Sequence, residues 1–346
     1  MSTYPTSSGA SGTWKLKDVW VAIRGGDWIP ENGGLSGNRG LFFGGTTPGG
    51  SVNTIDFITI AAQGNATDFG DLITAVYGNN NGAVGSTTRG VFGGGGDGTG
   101  DGTNEISYVT IASAGNAIDF GDLTQAGRAM GAGISSSTRG IFGPRRHTPS
   151  PTPHNDNIFD YVTIASTGNA TDFGDSTILA ANNAGACSST RGLRGGGNLN
   201  TQPGGESTNV IEYITIASTG NATDFGDLSA IKTDCGGCST STKALFGGGT
   251  SNPGSSPYGS LTNSIDTVTI ASTGNATDFG DLSVATSARA VSNTTRGVFQ
   301  ESTGSPNSGN TTFVTIASAG NVSTFGDLSA ARGTSGTGSN AHGGVQ

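Results

Sequence analysis

Residues 215–228, TIASTGNATDFGDL, decide the fold, because parts of this stretch recur along most of the chain. The tripeptide Thr-Ile-Ala occurs six times, and Phe-Gly-Asp follows it by ten residues in every copy. Successive copies lie 51, 53, 52, 54 and 46 residues apart. The copies of Thr-Ile-Ala begin at Thr59, Thr110, Thr163, Thr215, Thr269 and Thr315, and those of Phe-Gly-Asp at Phe69, Phe120, Phe173, Phe225, Phe279 and Phe325. Six copies of one structural unit are therefore present.

The segment before the turn of each unit predicts a strand that is covered on both faces. In the first unit it reads Ile-Asp-Phe-Ile-Thr-Ile-Ala, which is rich in β-branched and aromatic residues. Alternation places Ile58 and Ile60 on one face, and Ile55 and Phe57 on the other. Apolar residues on both faces indicate a strand that is buried from both sides.

Three further strands complete the unit. A tight turn at Gly64-Asn65 leads into a strand over residues 66–72, and an earlier apolar strand, residues 89–94, ends in glycines. The Gly/Ala/Ser stretch over residues 82–87 has small side chains that suit the crowded innermost strand of a radial array. Such a unit buries both faces only against identical neighbours, which predicts a β-propeller of four-stranded blades, with an open β-solenoid as the alternative.

Composition excludes several other classes of protein. Of the 346 residues 62 are glycine and only 12% are charged, which excludes an all-α fold, and the glycines keep no period of three as in collagen. The net charge of −9 argues against binding to nucleic acid or to an anionic membrane. No apolar run approaches the about 20 residues that a membrane span needs. Three cysteines cannot form a disulfide framework, and no secretory signal region begins the sequence.

The ends of the repeat predict how the ring closes. The first unit has an apolar strand at residues 39–42 but no small-residue strand before it. After the sixth Phe-Gly-Asp, residues 332–338 supply such a strand with no unit left to follow. The sequence therefore predicts an all-β, six-bladed propeller over residues 35–346, closed by pairing of its N- and C-terminal segments. Residues 1–34 are expected to form a separate N-terminal arm.

The order of these elements resembles the kelch repeat over roughly residues 35–340. The shared features are a small-residue strand, an arginine, an apolar strand, a diglycine, and an aromatic residue before the turn. The diglycines compared are Gly44-Gly45, Gly93-Gly94, Gly195-Gly196 and Gly247-Gly248, and the kelch tyrosine position holds Phe57, Tyr108, Tyr161, Tyr213, Thr267 and Phe313. The kelch tryptophan is replaced throughout by the Phe of Phe-Gly-Asp. The resemblance implies a propeller fold and leaves the function open, since propellers host unrelated activities.

The N-terminal arm holds the three tryptophans of the chain, Trp14, Trp20 and Trp28. We interpret it as an attachment segment, because tryptophan is favoured as an anchor at protein interfaces. An arm packed on the ring is the alternative. The opening of the sequence is similar to the N-terminal pieces of bacteriophage tail proteins that precede a receptor-binding domain.

If the four antiparallel strands of a blade are lettered a to d from the axis outwards, the loops that join them lie alternately on the two faces of the propeller. The a–b and c–d turns lie on one face, where Ser-Thr-Arg-Gly and Thr-Gly-Asn recur almost unchanged. The b–c loops on the other face differ from unit to unit, at residues 44–54, 93–104, 143–157, 195–209, 247–264 and 300–310. Variable loops on a repeated scaffold commonly build a recognition surface, although unconstrained loops also drift without a purpose.

Several loop residues are candidates for binding a receptor on the host surface. An aromatic side chain stacks on a sugar face, and paired arginines meet acidic polymers. The candidates are Arg145, Arg146, His147, His154, Asn200 and Tyr258.

Other motifs are interpreted as structural. The recurring cations and the Asp of Phe-Gly-Asp are expected to form pairs between strands rather than an anion-binding ring; the cations are Arg39, Arg89, Arg139, Arg191, Lys243 and Arg296. Cys235 and Cys238, with Cys187, are expected to be small buried thiols. Residues 97–102 resemble the start of a calcium loop, but Tyr108 stands where the bidentate Glu is needed. No metal or cofactor is predicted.

The sequence predicts a binding protein rather than an enzyme, because no nucleophile–base–acid set is legible. The expected function is that of a virion tail-fibre protein that binds a host glycan or surface protein through the b–c loops. Residues 1–34 would contact other tail or baseplate subunits, without nucleic acid or membrane insertion, and a homo-oligomer is compatible with this arrangement. The alternatives are a virion-associated polysaccharide-degrading enzyme, which needs two carboxylates placed together, and an intracellular kelch-type scaffold.

Overall fold

The computed structural model describes residues 38–77, 82–97, 101–128, 131–147, 154–199, 205–252, 259–302, 308–333 and 335–345. These residues form six four-stranded antiparallel sheets, which are the blades of a β-propeller, as the repeat predicted. The strands of each blade are lettered a to d from the axis outwards, and neighbouring a strands contact one another around the axis. In the described ranges the one helix is the short 3₁₀ turn Gly343–Val345, and none has the length and apolarity that a membrane crossing requires.

The strands of the first three blades follow the sequence repeat. In blade 1, strands a to d are Gly336–Ser339, Arg39–Thr47, Gly50–Thr59 and Thr67–Val76. In blade 2 they are Ala83–Gly85, Arg89–Gly93, Thr103–Thr110 and Ile118–Gly127. In blade 3 they are Gly133–Ser135, Arg139–Phe142, Ile158–Thr163 and Thr171–Asp175.

The remaining blades have the same order, and three two-stranded ribbons are added to them. In blade 4 the strands are Ala184–Cys187, Arg191–Gly195, Val210–Thr215 and Thr223–Asp227. In blade 5 they are Gly236–Ser239, Lys243–Gly247, Ser264–Thr269 and Thr277–Asp281. In blade 6 they are Ser287–Ser292, Arg296–Ser302, Asn310–Thr315 and Ser323–Asp327. The ribbons pair Arg146–His147 with His154–Asn155, Ala180–Ala181 with Asn198–Leu199, and Thr250–Ser251 with Ser260–Leu261.

The two ends of the described chain meet in blade 1. Its innermost strand comes from the C-terminal segment and pairs antiparallel with strand b, from Gly40 opposite Ser339 to Phe43 opposite Gly336. The other three strands of the blade come from the beginning of the ring. The predicted closure is therefore confirmed.

The core lies between the blades, and strand c shows why. Ile58 and Ile60 pack in one cluster with Val298 of blade 6, whereas Ile55 packs in another with Phe92 of blade 2. Each c strand is thus covered by two neighbours, as its apolar alternation predicted. Burying one such side chain contributes about 1.5–3 kcal/mol, so a single blade without neighbours would lose most of its apolar burial.

The two most regular motifs join each outer strand to the following blade. The carbonyl of Phe69 accepts a hydrogen bond from the N–H of Gly115 at 2.7 Å, and the Asn116 side chain accepts one from the N–H of Asp71 at 3.1 Å. The same backbone bond joins Phe120 to Gly168, Phe173 to Gly220, Phe225 to Gly274, Phe279 to Gly320 and Phe325 to Gly64. Phe-Gly-Asp and Gly-Asn therefore recur together because they dock on each other.

The recurring cations have structural roles, but the expected pairing with the Asp of Phe-Gly-Asp is wrong. Arg89 donates to the carbonyl of Ile164 in the next blade at 2.9 Å, and its guanidinium lies 4.4 Å from the ring centroid of Tyr108. A guanidinium that lies over an aromatic ring gains a cation–π attraction, and its N–H groups can still donate to a carbonyl. The arginine therefore makes two favourable contacts here without pairing with the Asp of the outer strand. The equivalent carbonyl partners are Ile111 for Arg39, Ile216 for Arg139, Ile270 for Arg191, Ala317 for Lys243 and Ile60 for Arg296.

Candidate functional site

The candidate site is the face that carries the b–c loops and the d–a connections, here called the variable face. In five of the six blades the described part of the preceding d–a connection pairs with the b–c loop by antiparallel backbone bonds. Four of these are single pairs, Tyr77 with Gly96, Arg128 with Arg146, Thr233 with Thr250, and Gly333 with Thr46, and the fifth is the ribbon of Ala180–Ala181 with Asn198–Leu199. The loops of this face are therefore fixed to the ring at their bases, although their sequences differ.

Buried ion pairs lie beneath the variable face. Four blades carry a carboxylate at the same position of strand c, and each carboxylate faces a buried cation. This position directly precedes the half-buried one that Tyr or Phe holds in five of the six blades. The pairs are Arg332–Asp56 at 3.2 Å, Arg145–Asp160 at 2.8 Å, Arg194–Glu212 at 2.9 Å and Lys232–Asp266 at 3.0 Å. Each of these carboxylates is compensated inside the protein.

A hydroxyl group of the preceding blade donates a hydrogen bond to each of these carboxylates. Ser329 donates to Asp56 at 2.6 Å, Thr124 to Asp160 at 2.7 Å, Ser176 to Glu212 at 2.5 Å and Ser229 to Asp266 at 2.5 Å. Burial lowers the pKa of Arg194, and the nearby Glu212 opposes this effect. These carboxylates therefore join one blade to the next.

Arg145 is not on the outer surface of its loop, so the expectation that it projects towards a receptor is wrong. Its side chain is 0% exposed, with Nη2 2.8 Å from Asp160 and Nε 3.1 Å from Asp156. A buried guanidinium is stable only when its charge is compensated, and the two carboxylates provide this. Arg145 therefore holds the base of the loop from inside.

The two histidines of the same loop lie together. The rings of His147 and His154 are stacked, with centroids 5.1 Å apart, and Nε2 of His147 lies 3.0 Å from a carboxylate oxygen of Asp156. Stacked rings do not direct their nitrogens to a common point. Among the described residues no group of three or more His, Cys, Asp or Glu side chains could hold a metal ion.

The other predicted contact residues lie outside the described ranges. These are Asn200 and Tyr258 in the b–c loops and Trp14, Trp20 and Trp28 in the N-terminal arm. The boundary between residues 34 and 35 also lies outside them. Their roles stay predictions.

Sequence reasoning missed Arg128 and Tyr77, which lie just beyond two outer strands. Arg128 and Arg146 exchange two backbone hydrogen bonds of 2.9 Å, and Nη1 of Arg128 donates to the hydroxyl of Tyr77 at 3.2 Å. All three side chains are half-buried on the variable face. The only sequence signal was a basic or aromatic residue at the point where the outer strand ends.

The axis of the propeller contains a second candidate site. The a strands of the six blades, with His342, line a narrow cavity of about 40 Å³, which has room for a few water molecules. Hydroxyls form part of its wall, since Ser239, Ser292 and Ser339 each donate to a carbonyl of the preceding a strand at 2.7–2.9 Å. The lining is small and offers little space for a ligand.

His342 lies at one end of this cavity, beside the thiol of Cys187. Its Nδ1 is 3.5 Å from Sγ, and its Nε2 contacts the Ser135 hydroxyl at 3.0 Å. Burial raises the pKa of the Cys187 thiol, but His342 lowers it, and the net result lies below the ordinary value. Burial raises the pKa of Cys235 to about 11 and that of Cys238 to about 12. All three thiols are buried, as predicted.

No protein-family model matches this chain, and no curated protein matches it either.

Proposed function

We propose that this protein is a non-enzymatic attachment protein of a bacteriophage tail, and that its variable face binds a glycan or protein on the host surface. One observation carries the proposal, namely the contrast between the two faces of one ring. On the opposite face the same residues make the same contacts in blade after blade. On the variable face only the loop bases are alike, and the sequences between them differ.

The variable face also presents apolar groups to solvent. Of the five exposed large hydrophobic side chains in the described residues, three lie in its loops and connections, namely Leu179, Leu261 and Val284, with exposures of 52%, 45% and 42%. Exposed apolar groups among polar loop residues are typical of recognition surfaces. The loops add Asn, Ser and Thr side chains, whose hydroxyl and amide groups bond well to sugars.

The arm supports the second half of the proposal, which is attachment to the virion. Trp14, Trp20 and Trp28 are large amphipathic side chains of the kind that anchor protein interfaces. We assign residues 1–34 to contacts with other tail or baseplate subunits.

Adsorption to bacterial cells tests the proposal. Fluorescently labelled protein is mixed with a panel of bacterial strains, either untreated, oxidised with periodate, or treated with proteinase. We expect saturable adsorption to a subset of strains, abolished by periodate for a glycan receptor or by proteinase for a protein receptor. Absence of adsorption to every strain would contradict the proposal, and release of new reducing sugar ends from envelope polysaccharide would contradict its non-enzymatic part.

A further inference from the structure

Two arginines are held side by side on the variable face by the backbone. Arg128 directly follows the outer strand of blade 2, Arg146 lies in the b–c loop of blade 3, and they form one antiparallel pair. Residues directly opposite each other in such a pair extend their side chains to the same side of the sheet. The fold therefore brings two like charges together at the junction of two blades.

Arg146 is half-buried, and among the described residues it lacks the carboxylate partner that the buried arginines of this face have. Arg145, Arg194 and Arg332 each lie within 3.2 Å of a buried carboxylate. For Arg146, burial and the charge of Arg128 both lower the pKa of the guanidinium, and no carboxylate in the described part of the chain opposes them. Its Nε is buried and has no hydrogen-bond partner within the described residues, as is also true of the Nε of Arg194 and Arg332, so the missing carboxylate is what distinguishes Arg146 from them. A buried donor without a partner is costly, and it becomes satisfied when a ligand supplies an acceptor.

The third group of the cluster is Tyr77, whose hydroxyl accepts the hydrogen bond from Arg128. A tyrosine offers both a hydroxyl and an aromatic face, and aromatic faces pack against the apolar side of a sugar ring. A guanidinium offers a planar fork of donors that matches the two oxygens of a carboxylate, a sulfate or a phosphate. The cluster thus combines a site for a charged group with a surface for a sugar ring.

We propose that Arg146 and Arg128, together with Tyr77, form a binding site for the anionic group of an acidic saccharide. The charged group is a carboxylate, sulfate or phosphate carried on a sugar of the host envelope. This inference rests on the proposed function and specifies its ligand class. An acidic saccharide fits better than a nucleic acid, because a chain of net charge −9 repels a uniformly charged polyanion, whereas one local cation pair suits an isolated anionic group.

The test uses calorimetric titration of the full-length chain at 50 mM salt. The probes each carry one isolated anionic group: sialyllactose for carboxylate, galactose 6-sulfate for sulfate and glucose 6-phosphate for phosphate. Neutral dextran and a single-stranded DNA oligonucleotide are added for comparison. The variants are Arg146→Gln, Arg128→Gln and Tyr77→Phe. Lys243→Gln is the matched control, since it removes one positive charge from the opposite face, where its ammonium group donates to the Ala317 carbonyl at 3.3 Å.

We expect the wild type to bind at least one of the three acidic saccharides and not dextran. Arg146→Gln and Arg128→Gln should each weaken that binding by about tenfold to a hundredfold, the usual value of a charge-assisted hydrogen bond. Lys243→Gln should change it less than about twofold. The melting temperature of each variant is measured first. Arg146→Lys replaces any variant that fails to fold. It keeps the positive charge but lacks the planar guanidinium, so it should bind more weakly than the wild type.

Three results would overturn the inference: no binding to any acidic saccharide, equal binding by the arginine variants and the control, or equal arginine-dependent binding to the oligonucleotide. Cell adsorption of the same proteins separates this inference from the proposed function. Adsorption that is unchanged in both arginine variants would leave the proposed function standing and reject the site.

Discussion

The guanidinium of Arg332 lies 3.2 Å from the carboxylate of Asp56, although one residue precedes the last strand of the chain and the other lies in the first blade. Both side chains are buried, at 1% and 0% exposure. Ser329 donates to the same carboxylate at 2.6 Å. The ring is therefore closed by an ion pair in its core as well as by the strand pairing in blade 1.

Replacing Asp56 by alanine should destabilise the ring strongly. The change leaves Arg332 buried without a counter-charge, which costs about 3–5 kcal/mol of the free energy of unfolding. Urea denaturation followed by circular dichroism measures the loss. The control is Asp71→Ala on the half-exposed outer strand, where we expect less than about 1 kcal/mol. Equal losses in both variants would show that the buried pair is not a principal contact of the closure.

Deleting residues 335–346 should leave blade 1 with three strands. Strand b would then expose an unpaired edge towards the axis, and exposed edges promote aggregation. We expect a lower melting temperature and aggregation in light scattering. A truncated protein that stays monomeric and has the melting temperature of the full chain would contradict the closure at the C-terminus.

The contact between neighbouring blades can be tested at Gly121. Its φ is +144°, and a methyl group added there would lie 2.5 Å from the carbonyl oxygen of Gly168 in the next blade. Gly168 itself has a φ of +155°, but a methyl group there would meet nothing within 4 Å. Each alanine substitution has a backbone cost of about 1–3 kcal/mol, and only Gly121→Ala adds a clash with a neighbouring backbone. In thermal unfolding, the melting temperature of Gly121→Ala should lie well below that of Gly168→Ala. The reverse order would contradict the docking of these motifs.

The thiol of Cys187 should react before the other two. The thiolate is the reactive form, so the lowered pKa of Cys187 gives more thiolate at a given pH, whereas pKa values of about 11 and 12 leave Cys235 and Cys238 protonated at pH 8. The thiols are labelled with methyl methanethiosulfonate, a small reagent, in excess over the protein. Mass spectrometry of the folded protein at pH 8 should find Cys187 labelled first, and His342→Ala should slow the labelling. Labelling of the three thiols at equal rates would contradict the contact with His342.

The sequence predicted the ring because six copies of the unit recur at a nearly constant spacing. It predicted the closure because the first unit lacks its innermost strand and the C-terminal segment has one to spare. The partners of Arg89 were assigned wrongly, because a sequence shows that a cation and a carboxylate recur together but not that the guanidinium lies over Tyr108 and donates to a carbonyl of the next blade. Arg145 was placed outside because its loop is polar, whereas Asp160 draws it into the core. Arg128 was missed because the pair with Arg146 joins two blades and leaves no local pattern.

Loop exchange tests the claim that the variable face binds the host. Residues 148–153 and 253–258 are replaced by Gly-Ser segments of equal length, which keeps Arg145 in its ion pairs. Loop substitutions of this kind cost little stability, so the melting temperature should stay within a few degrees. The control is Arg89→Ala on the opposite face, which loses a cation–π contact and a hydrogen bond and should cost about 1–3 kcal/mol.

The deciding measurement is the adsorption of both variants to a strain that the wild type binds. Our account predicts that the loop variant loses at least about tenfold in affinity, because a few loop residues carry most of a binding energy. It also predicts that folded Arg89→Ala adsorbs like the wild type. Normal adsorption of the loop variant, together with a loss in Arg89→Ala, would show that the protein binds through its other face.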